Sequence, residues 1–282
     1  MLTVGHVLTT ALLLTVPFLP APARGTEPSR AAEPQRAADP CGPARALPAY
    51  AHNDYRNTRP REEALELGYL GIEADVFLVD GTFLLAHDRK DIRNDFGFEA
   101  TYLWHLLDRV QRCARVLPDA RPFLIAIEDK APTVESRLAM ASLLGRYRAL
   151  LRPAQDHPIA EFILVDDSAT PESIPEDLKR FVGFQWRVTS RNPAPPAASA
   201  ANYRLLSLDF KKEVGWDGTG DPPPALRKLI PAVVAAAKCI PGCRVRVHNV
   251  PVRGRIWTYL LDAGVDLIGV TELSKGAGLL GG

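Results

Sequence analysis

The sequence has almost no net charge, which argues against a protein that binds polyanions. Its 34 Lys and Arg residues balance 33 Asp and Glu residues, giving a formal net charge of +1 over 282 residues. A near-neutral chain offers no broad electrostatic surface for nucleic acid. The G-x-G-x-x-G fingerprint of dinucleotide-binding domains is also missing after the first predicted strand. We therefore expect no nucleic-acid partner, and one large domain or two small ones.

The sequence also lacks a hydrophobic run long enough to cross a bilayer. The apolar run 7–19 is shorter than the roughly 20 residues that a spanning helix needs. It is followed by a small-x-small pattern at 21–23, which predicts a signal peptide over residues 1–23 and a secreted, extracellular protein. Few basic residues precede the run, so a disordered hydrophobic tail is the alternative. Residues 24–46, rich in Ala, Pro and Arg, predict a spacer.

Cysteine is scarce, with four residues in the chain: Cys41, Cys113, Cys239 and Cys243. An even number in an exported chain predicts disulfides, and four cysteines allow three connectivities. The Pro-Gly turn inside "CIPGC" favours a Cys239–Cys243 bridge, with Cys41–Cys113 as the other. A zinc site is disfavoured, because no second closely spaced Cys or His pair accompanies this one.

Eight short apolar runs alternate with longer helical stretches after residue 46. The predicted strands are 47–52, 70–79, 122–129, 162–167, 181–186, 204–210, 244–250 and 265–271. The predicted helices are 60–67, 101–116, 135–151, 172–180, 225–238 and 253–263. This order predicts an α/β fold, a single-domain TIM (β/α)₈ barrel over residues 47–275. A doubly wound open sheet is the alternative. Residues 187–203 predict a loop over one barrel mouth.

Two acids lie on one face of the second predicted strand. Alternation along "LGIEADVFLV" places Glu73 and Asp75 together and sends their apolar neighbours to the other face. Two carboxylates about 6–7 Å apart repel each other by roughly 2–3 kcal/mol at an effective dielectric near 20. Proton uptake by one acid, basic neighbours or a bound cation could compensate for this repulsion.

A third acid, Glu128, occupies the equivalent position on the neighbouring strand "FLIAIED". Three oxygen ligands at one end of a barrel favour Mg²⁺ or Ca²⁺ over zinc. We therefore expect Glu73, Asp75 and Glu128 to hold a divalent metal. The simpler alternative is an amphipathic strand whose acids face solvent.

Two histidines flank these acids in the sequence. His52 closes the first predicted strand, and His87 follows an Asp80-Gly81 hairpin turn that folds it back toward the acids. A pair of histidines beside a cation suits phosphodiester chemistry. One can accept a proton from the attacking oxygen while the other donates one to the leaving oxygen.

The segments "HNDY", "IEADVFLVDGTFLLAHD" and "IEDK" resemble the glycerophosphodiester phosphodiesterase and phosphatidylinositol phospholipase C-like superfamily. The HND variant is most similar to the branch that includes the yeast altered-inheritance-of-mitochondria proteins. The resemblance covers about residues 47–275. It implies a metal-dependent phosphoric diester hydrolase of lipid metabolism on a TIM barrel, with Mg²⁺ or Ca²⁺ as the cofactor.

The resemblance also implies roles for individual residues. His52 and His87 would be the catalytic acid/base pair, and Glu73, Asp75 and Glu128 the metal ligands. Lys130 matches a lysine expected to face the phosphate, and we assign Lys130 and Asn53 to substrate binding. Where glycerophosphodiesterases have His-Arg-Gly, this chain has His52-Asn53-Asp54. Losing that arginine leaves the identity of the substrate open.

A second departure from the family lies on the seventh predicted strand. Relatives often carry a Trp where this chain has His248. We interpret His248 as a residue of the barrel mouth without a catalytic part. Trp186 could stack on a head group or fill the barrel.

Three readings of the site remain open. The first is a monomeric phosphodiesterase acting on a glycerophosphodiester or a phospholipid head group, by water attack or through a cyclic phosphate formed by a substrate 2-hydroxyl. The second is a catalytically silent barrel that binds a phospho-head group or a partner. The third is a metal-free glycosidase that uses Glu73 or Glu128 as one of a pair of carboxylates. Contact with membranes also remains open.

Overall fold

The computed structural model describes residues 41–42, 45–119, 121–151, 153–154, 157–166, 174–179 and 181–281. They belong to one compact unit, Asp39–Gly282. The predicted signal peptide, residues 1–23, lies outside the described residues, as does most of the predicted spacer. Within the described part of the chain, no helix is both long and apolar enough to span a bilayer.

Eight parallel strands close into a barrel, which confirms the predicted TIM fold. They are β1 (Leu47–Ala51), β2 (Tyr69–Val79), β4 (Phe123–Asp129), β7 (Ala160–Val165), β8 (Val182–Val188), β9 (Tyr203–Asp209), β10 (Arg244–His248) and β11 (Leu267–Val270). The ring closes because β1 pairs with both β2 and β11. All eight predicted strands are therefore present, with ends shifted by a few residues.

The β2 strand continues beyond the barrel into a hairpin with β3 (Thr82–Leu85). Asp80 and Gly81 both have positive φ, at 46° and 78°, as a type I′ turn requires. The predicted hairpin is confirmed. Its two-residue loop fixes the register, so that Leu85 pairs with Val76 and the chain after β3 returns to the mouth.

Helices lie in six of the seven connections between successive barrel strands, and one more helix follows the last strand. The helices are α1 (Glu62–Leu67), α2 (Trp104–Cys113), α3 (Val134–Arg146), α4 (Glu176–Lys179), α5 (Phe210–Glu213), α6 (Pro224–Lys238), α7 (Gly254–Asp262) and α8 (Leu273–Leu280). A π-helical turn, Glu99–Leu103, precedes α2, and a 3₁₀ turn, Arg148–Leu151, follows α3. A short hairpin, β5 (Pro153–Ala154) with β6 (His157–Pro158), precedes β7. The sequence did not predict α5 or α8.

The crossover from β8 to β9 carries no α-helix among its residues 189–202, all of which are described. This agrees with the predicted loop at 187–203, although β8 extends to residue 188. Trp186 lies half-buried on the outer face of β8, where its ring packs against Tyr203 at 5.5 Å and its Nε1 donates to Asn192 O. It therefore neither fills the lumen nor lines the mouth.

One of the two favoured disulfides forms. Cys41 and Cys113 are bonded, but the favoured Cys239–Cys243 bridge is wrong, because both thiols are free. The predicted turn is present, since Cys243 N donates to Ile240 O. The two side chains nevertheless leave it in different environments: Cys239 is exposed, whereas Cys243 is partly buried beside β10. Burial raises the pKa of the Cys243 thiol to about 11.

Candidate active site

His52 and Asn53 stand at the rim of the barrel because β1 ends beside β11. The backbone N–H of His52 donates to Val270 O at 2.9 Å. Asn53 then takes a left-handed φ of 52°, which asparagine adopts more readily than most residues. The chain turns away from the strand at this point, and both side chains line the mouth.

Asp54, the third residue of the His-Asn-Asp motif, anchors the loop that carries His52. Its buried carboxylate accepts hydrogen bonds from Arg61 N at 2.6 Å, from Tyr102 OH at 2.9 Å and from Asn57 Nδ2 at 3.3 Å. Burial raises the pKa of Asp54 to about 6, although these donors act to lower it. This anchoring role could not be predicted from the sequence, because the partners of Asp54 lie up to 48 residues away.

The three predicted acids converge at the same end of the barrel. Asp75 on β2 lies directly opposite Glu128 on β4 in the parallel register, as the alternation predicted. Each of Glu73, Asp75 and Glu128 offers a carboxylate oxygen, and these oxygens lie within 4.8 Å of one another. Glu73 and Asp75 are buried, whereas Glu128 is partly exposed.

Two cations built into the chain compensate part of this negative charge. Lys130 Nζ lies 2.8 Å from Glu128 Oε1 and 3.8 Å from Asp75 Oδ2. On the other side, Arg246 Nη1 lies 3.1 Å from Glu73 Oε2. Burial acts to raise the pKa of Glu73, but the charge of Arg246, followed by those of His52 and His248, lowers it below its usual value. Basic neighbours, one of the three means of compensation that the sequence left open, are therefore present.

Asp75 retains an acceptor that fits a metal ion. Its Oδ2 accepts from Tyr55 OH at 2.9 Å, but no group among the described residues donates to its buried Oδ1. Burial, followed by the charges of Glu128 and Glu73, raises the pKa of Asp75 to about 6. A carboxylate with one unpaired oxygen, in a cluster with two other carboxylates, provides a donor set suited to a hard divalent cation.

The two predicted histidines line the barrel mouth together with the acids. His52 Nε2 is 3.8 Å from Glu73 Oε2, and burial lowers the pKa of His52 despite the opposing effect of Glu73. His87 is held near the acids because Ala86 N donates to the backbone oxygen of Asp75 at 3.2 Å. The His87 ring is partly exposed, with Nδ1 3.3 Å from Asp88 Oδ2 but without the geometry of a hydrogen bond.

Arg246 is the principal site residue that the sequence interpretation missed. It is 2 % exposed, and its guanidinium binds Glu73, Ser207 and Gln185 while lying 4.5 Å from the centroid of the Tyr50 ring. A signal exists in "RVRVH", where basic residues alternate with valines and so share one face of β10. The sequence alone, however, does not distinguish a buried arginine from an exposed one, because the distinction depends on partners that are distant in the chain.

His248 ends the same strand and also faces the mouth. Its Nδ1 lies 3.2 Å from Ser207 Oγ, its Nε2 lies 3.8 Å from Asp209 Oδ2, and its ring centroid lies 5.8 Å from that of His52. Burial, followed by the charge of Arg246, lowers the pKa of His248 to about 4. The predicted position at the mouth is correct, and the structure adds polar partners that the sequence could not name.

The three acids, the three histidines and Arg246 border one cavity of about 400 Å³ at the carboxyl ends of the barrel strands. The lining includes six of the seven predicted site residues: His52, Asn53, Glu73, Asp75, His87 and Glu128. The seventh, Lys130, lies against the acids. The volume is that of a site for a small ligand or head group.

The closed parallel barrel with its polar mouth defines a TIM-barrel protein of the type whose sites lie at the strands' carboxyl ends. Within this class, residues 42–125, less than a third of the chain, match the model of the AIM6-like phosphodiesterase domain. The predicted resemblance is confirmed, and with it the predicted enzyme class, a phosphoric diester hydrolase. No curated protein matches the chain.

Solved structures of similar fold include three bacterial proteins. A protein assigned as a glycerophosphoryl diester phosphodiesterase from Silicibacter pomeroyi is 14% identical, with 85% of this chain and 94% of that chain covered and a TM-score of 0.51. A glycerophosphodiester phosphodiesterase from Agrobacterium tumefaciens is 14% identical, covering 83% and 100%, with a TM-score of 0.48. A phosphodiesterase from Oleispira antarctica, bound to sn-glycerol-3-phosphate, is 13% identical, covering 84% and 98%, with a TM-score of 0.46. At 14% identity, the similarity to the Silicibacter pomeroyi protein supports the fold alone. The other two structures, with TM-scores of 0.48 and 0.46, add no argument.

Proposed function

We propose that this chain is a metal-dependent phosphodiesterase whose divalent cation, Mg²⁺ or Ca²⁺, is held by Glu73, Asp75 and Glu128. The observation that carries the proposal is the convergence of three carboxylate oxygens within 4.8 Å, with Asp75 Oδ1 buried and lacking a donor among the described residues. Hard oxygen ligands of this kind favour these two ions over zinc. When bound, the cation would neutralise negative charge on the phosphoryl oxygens.

The charge of the site suits a phosphodiester. Three carboxylates opposed by Arg246 and Lys130 carry a formal charge of −1, which a dication converts to +1. A phosphodiester group carries one negative charge, so substrate binding would bring the mouth to neutrality. We assign Lys130 and Asn53 to binding the phosphate group, because Lys130 supplies positive charge beside the acids and Asn53 lines the cavity.

His52 and His87 are the proposed acid/base pair. They border the same cavity as the acids, so one can accept a proton from the attacking oxygen while the other donates one to the leaving oxygen. His52 is the proposed base, because burial lowers its pKa and favours the neutral ring. The attacking oxygen belongs either to water or to a hydroxyl of the substrate, in which case a cyclic phosphate is released.

The proposed substrate is a glycerophosphodiester or a phospholipid head group. A cavity of about 400 Å³ accommodates a group of this size. Export from the cell is a further part of the proposal and depends on the signal-peptide pattern of residues 1–23. Processing between residues 23 and 24, checked by mass spectrometry of the protein recovered from the medium, would support it, whereas retention of the full-length chain in cells would contradict it.

Chelation and substitution together test the mechanism. We expect EDTA to abolish hydrolysis of a panel of phosphodiesters, including bis(4-nitrophenyl) phosphate and a glycerophosphodiester, and added Mg²⁺ or Ca²⁺ to restore it. Asp75→Asn and Glu128→Gln should raise the metal concentration needed for half-maximal activity. His52→Ala and His87→Ala should each lower kcat by at least about 100-fold.

A matched control is available in His105→Ala, since His105 is exposed on α2 and lies outside the cavity. It should leave activity unchanged. Activity that persists in EDTA would contradict the metal site. Full activity in His52→Ala or His87→Ala would remove that residue from the mechanism, and metal or phosphate binding without any turnover would indicate the silent barrel.

A further inference from the structure

A continuous chain of polar contacts joins the proposed metal ligands to His248. Glu73 accepts from Arg246 Nη1 at 3.1 Å, and Arg246 Nε donates to Ser207 Oγ at 3.0 Å. Ser207 Oγ then lies 3.2 Å from His248 Nδ1. Arg246 and Ser207 are 2 % and 1 % exposed, so water has little access to the middle of this chain. The contacts therefore determine how the protons are arranged.

The contact from Arg246 decides the direction of the hydrogen bond between Ser207 and His248. A guanidinium can only donate, so one lone pair of Ser207 Oγ is occupied by the Nε–H of Arg246. The hydroxyl proton of Ser207 then has His248 Nδ1 as its acceptor. The opposite arrangement would leave a buried hydroxyl proton unpaired, which is unfavourable. The neutral ring therefore carries its proton on Nε2.

His248 lines the cavity, so its Nε2–H is available to a ligand there. Asp209 Oδ2 lies 3.8 Å away, too far for a hydrogen bond, and already accepts from Asn249 Nδ2 at 2.9 Å. The ring stands beside that of His52, at 5.8 Å between centroids. A substrate oxygen placed between the acids and β10 could take this donor.

The surroundings of His248 favour a neutral donor over an imidazolium. Burial and the nearby charge of Arg246 lower the pKa of His248, so the ring is uncharged near neutral pH. A neutral His248 adds no positive charge to the mouth. The formal charge of the metal-loaded site, set by the three carboxylates, Arg246, Lys130 and the proposed dication, is therefore unchanged.

We propose that His248 contacts the substrate by donating a hydrogen bond from Nε2–H to a phosphodiester oxygen, with Ser207 and Arg246 as positioning residues that fix its tautomer. This assignment rests on the proposed function. It replaces the interpretation of His248 as a residue of the barrel mouth without a catalytic part. It gives the site three histidines with separate tasks, because His52 and His87 exchange protons whereas His248 keeps its own.

Nitrogen-15 NMR of the histidine rings tests the tautomer without any need for turnover. We expect the His248 signals of the wild-type protein at neutral pH to show a protonated Nε2 and an unprotonated Nδ1. Ser207→Ala should produce a mixture of tautomers, and Ser207→Thr, which keeps the hydroxyl, should restore the wild-type pattern. A proton on Nδ1 in the wild-type protein would overturn the proposal.

Substitution of His248 tests the contact with substrate. Gln can place an N–H donor near the position of Nε2, whereas Phe keeps a ring but donates nothing. Since hydrogen bonds to charged groups are comparatively strong, we expect His248→Phe to lower kcat/KM by about 10- to 100-fold and His248→Gln to retain most of it. Equal activities of His248→Phe and wild type would overturn the proposal.

Titration with inorganic phosphate separates this inference from the proposed function. In metal-loaded protein, phosphate should shift the His248 Nε2–H resonance, and Ser207→Ala should weaken that shift. If the protein hydrolyses no phosphodiester but the shift appears, the proposed function fails and the contact stands. If phosphate shifts the ring resonances of His52 but not those of His248, the proposed contact between His248 and the substrate is wrong.

Discussion

Glu73 and Arg246 form a buried ion pair in which each residue depends on the other. Both side chains are almost fully enclosed, and the contacting atoms are 3.1 Å apart. Losing one partner leaves an uncompensated charge in the barrel interior, whereas losing both leaves neutral groups. The pair therefore links the stability of the barrel to the geometry of its site.

Arg246→Met should lower the free energy of unfolding by about 3–5 kcal/mol, because it leaves Glu73 charged and unpaired in the lumen. The double variant Arg246→Met with Glu73→Gln should recover a substantial part of the loss. Urea denaturation at neutral pH measures both. Arg93→Met provides a control, since Arg93 is an exposed arginine paired with the exposed Asp95. A double variant no more stable than the single one would contradict the pairing.

Asp54 should make stability depend on pH between about 4 and 6. Its pKa in the folded protein is about 6, above the value of about 3.9 in an unfolded chain. Folding therefore favours the protonated acid, and the stability contributed by Asp54 falls as pH rises through this window, by about 3 kcal/mol in total.

Comparison with Asp54→Asn isolates this effect from those of other acids. The free energy of unfolding of wild type minus that of the variant should decrease from pH 4 to pH 7 and then level off. Chemical denaturation at four pH values gives the curve. A difference that is constant with pH would show that Asp54 has an ordinary pKa in the folded protein.

The sequence predicted the acidic and histidine residues of the site because their signals are local. Glu73 and Asp75 alternate within one strand, and a two-residue turn brings His87 back beside them. Arg246 could not be assigned, since its partner Glu73 is 173 residues away and its burial depends on the closed barrel. Asp54 was missed for the same reason, because its role is defined by the residues that surround it.

At the level of secondary-structure elements, α8 shows how packing can override propensity. Its sequence "LSKGAGLL" contains two glycines, and α8 was not predicted. The helix packs against α1 and β1, and Tyr69 OH donates to the backbone oxygen of Leu273 at 2.8 Å. A Cβ at Gly276 would lie 2.5 Å from Val270 Cγ1 and 2.6 Å from Tyr69 OH. The close approach of α8 therefore requires glycine at this position.

The two glycines of α8 should respond to alanine with opposite signs. Gly276→Ala should destabilise the protein by about 1–3 kcal/mol through overpacking. Gly278→Ala should stabilise it by up to about 1 kcal/mol, since Gly278 is exposed, a Cβ there meets nothing within 4 Å, and alanine is the better helix former. Thermal and urea unfolding of the two variants provide the measurement. Equal effects would contradict the packing described for α8.

Elements with strong periodic patterns were predicted well, and short elements were not. The eight strands and the β2–β3 hairpin carry alternation or a turn signal within their own sequence. The one-turn helix α5 is too short for a periodic pattern and depends on its cap, in which Asp209 accepts from Lys212 N. Such local contacts decide the structure only after the neighbouring strand is in place.

At the scale of the whole molecule, one covalent link joins the chain before the barrel to its second helix. The Cys41–Cys113 bridge closes a loop with a sequence separation of 72 residues that includes β1, β2 and β3. A cross-link over a loop of this length restricts the unfolded chain considerably. It therefore stabilises the part of the barrel that carries His52, Glu73, Asp75 and His87.

Replacing both bridge cysteines by serine should lower the free energy of unfolding by about 4 kcal/mol, the value expected for a loop of this length. Urea denaturation of the oxidised wild type and of the double variant measures the difference. Cys239→Ser is the matched control, because this thiol is free and exposed, and it should have little effect. A wild-type protein whose stability is unaffected by removing the bridge would contradict this role.

The internal cations Arg246 and Lys130 also determine whether the barrel stays folded without its metal. Because they already offset two of the three carboxylate charges, the barrel does not depend on the ion for its architecture. The dication should then be exchangeable. We expect the chelated protein to stay folded and to bind a metal ion again in solution. One preparation could thus be stripped and assayed with Mg²⁺, Ca²⁺ or other ions in turn, each on the same scaffold.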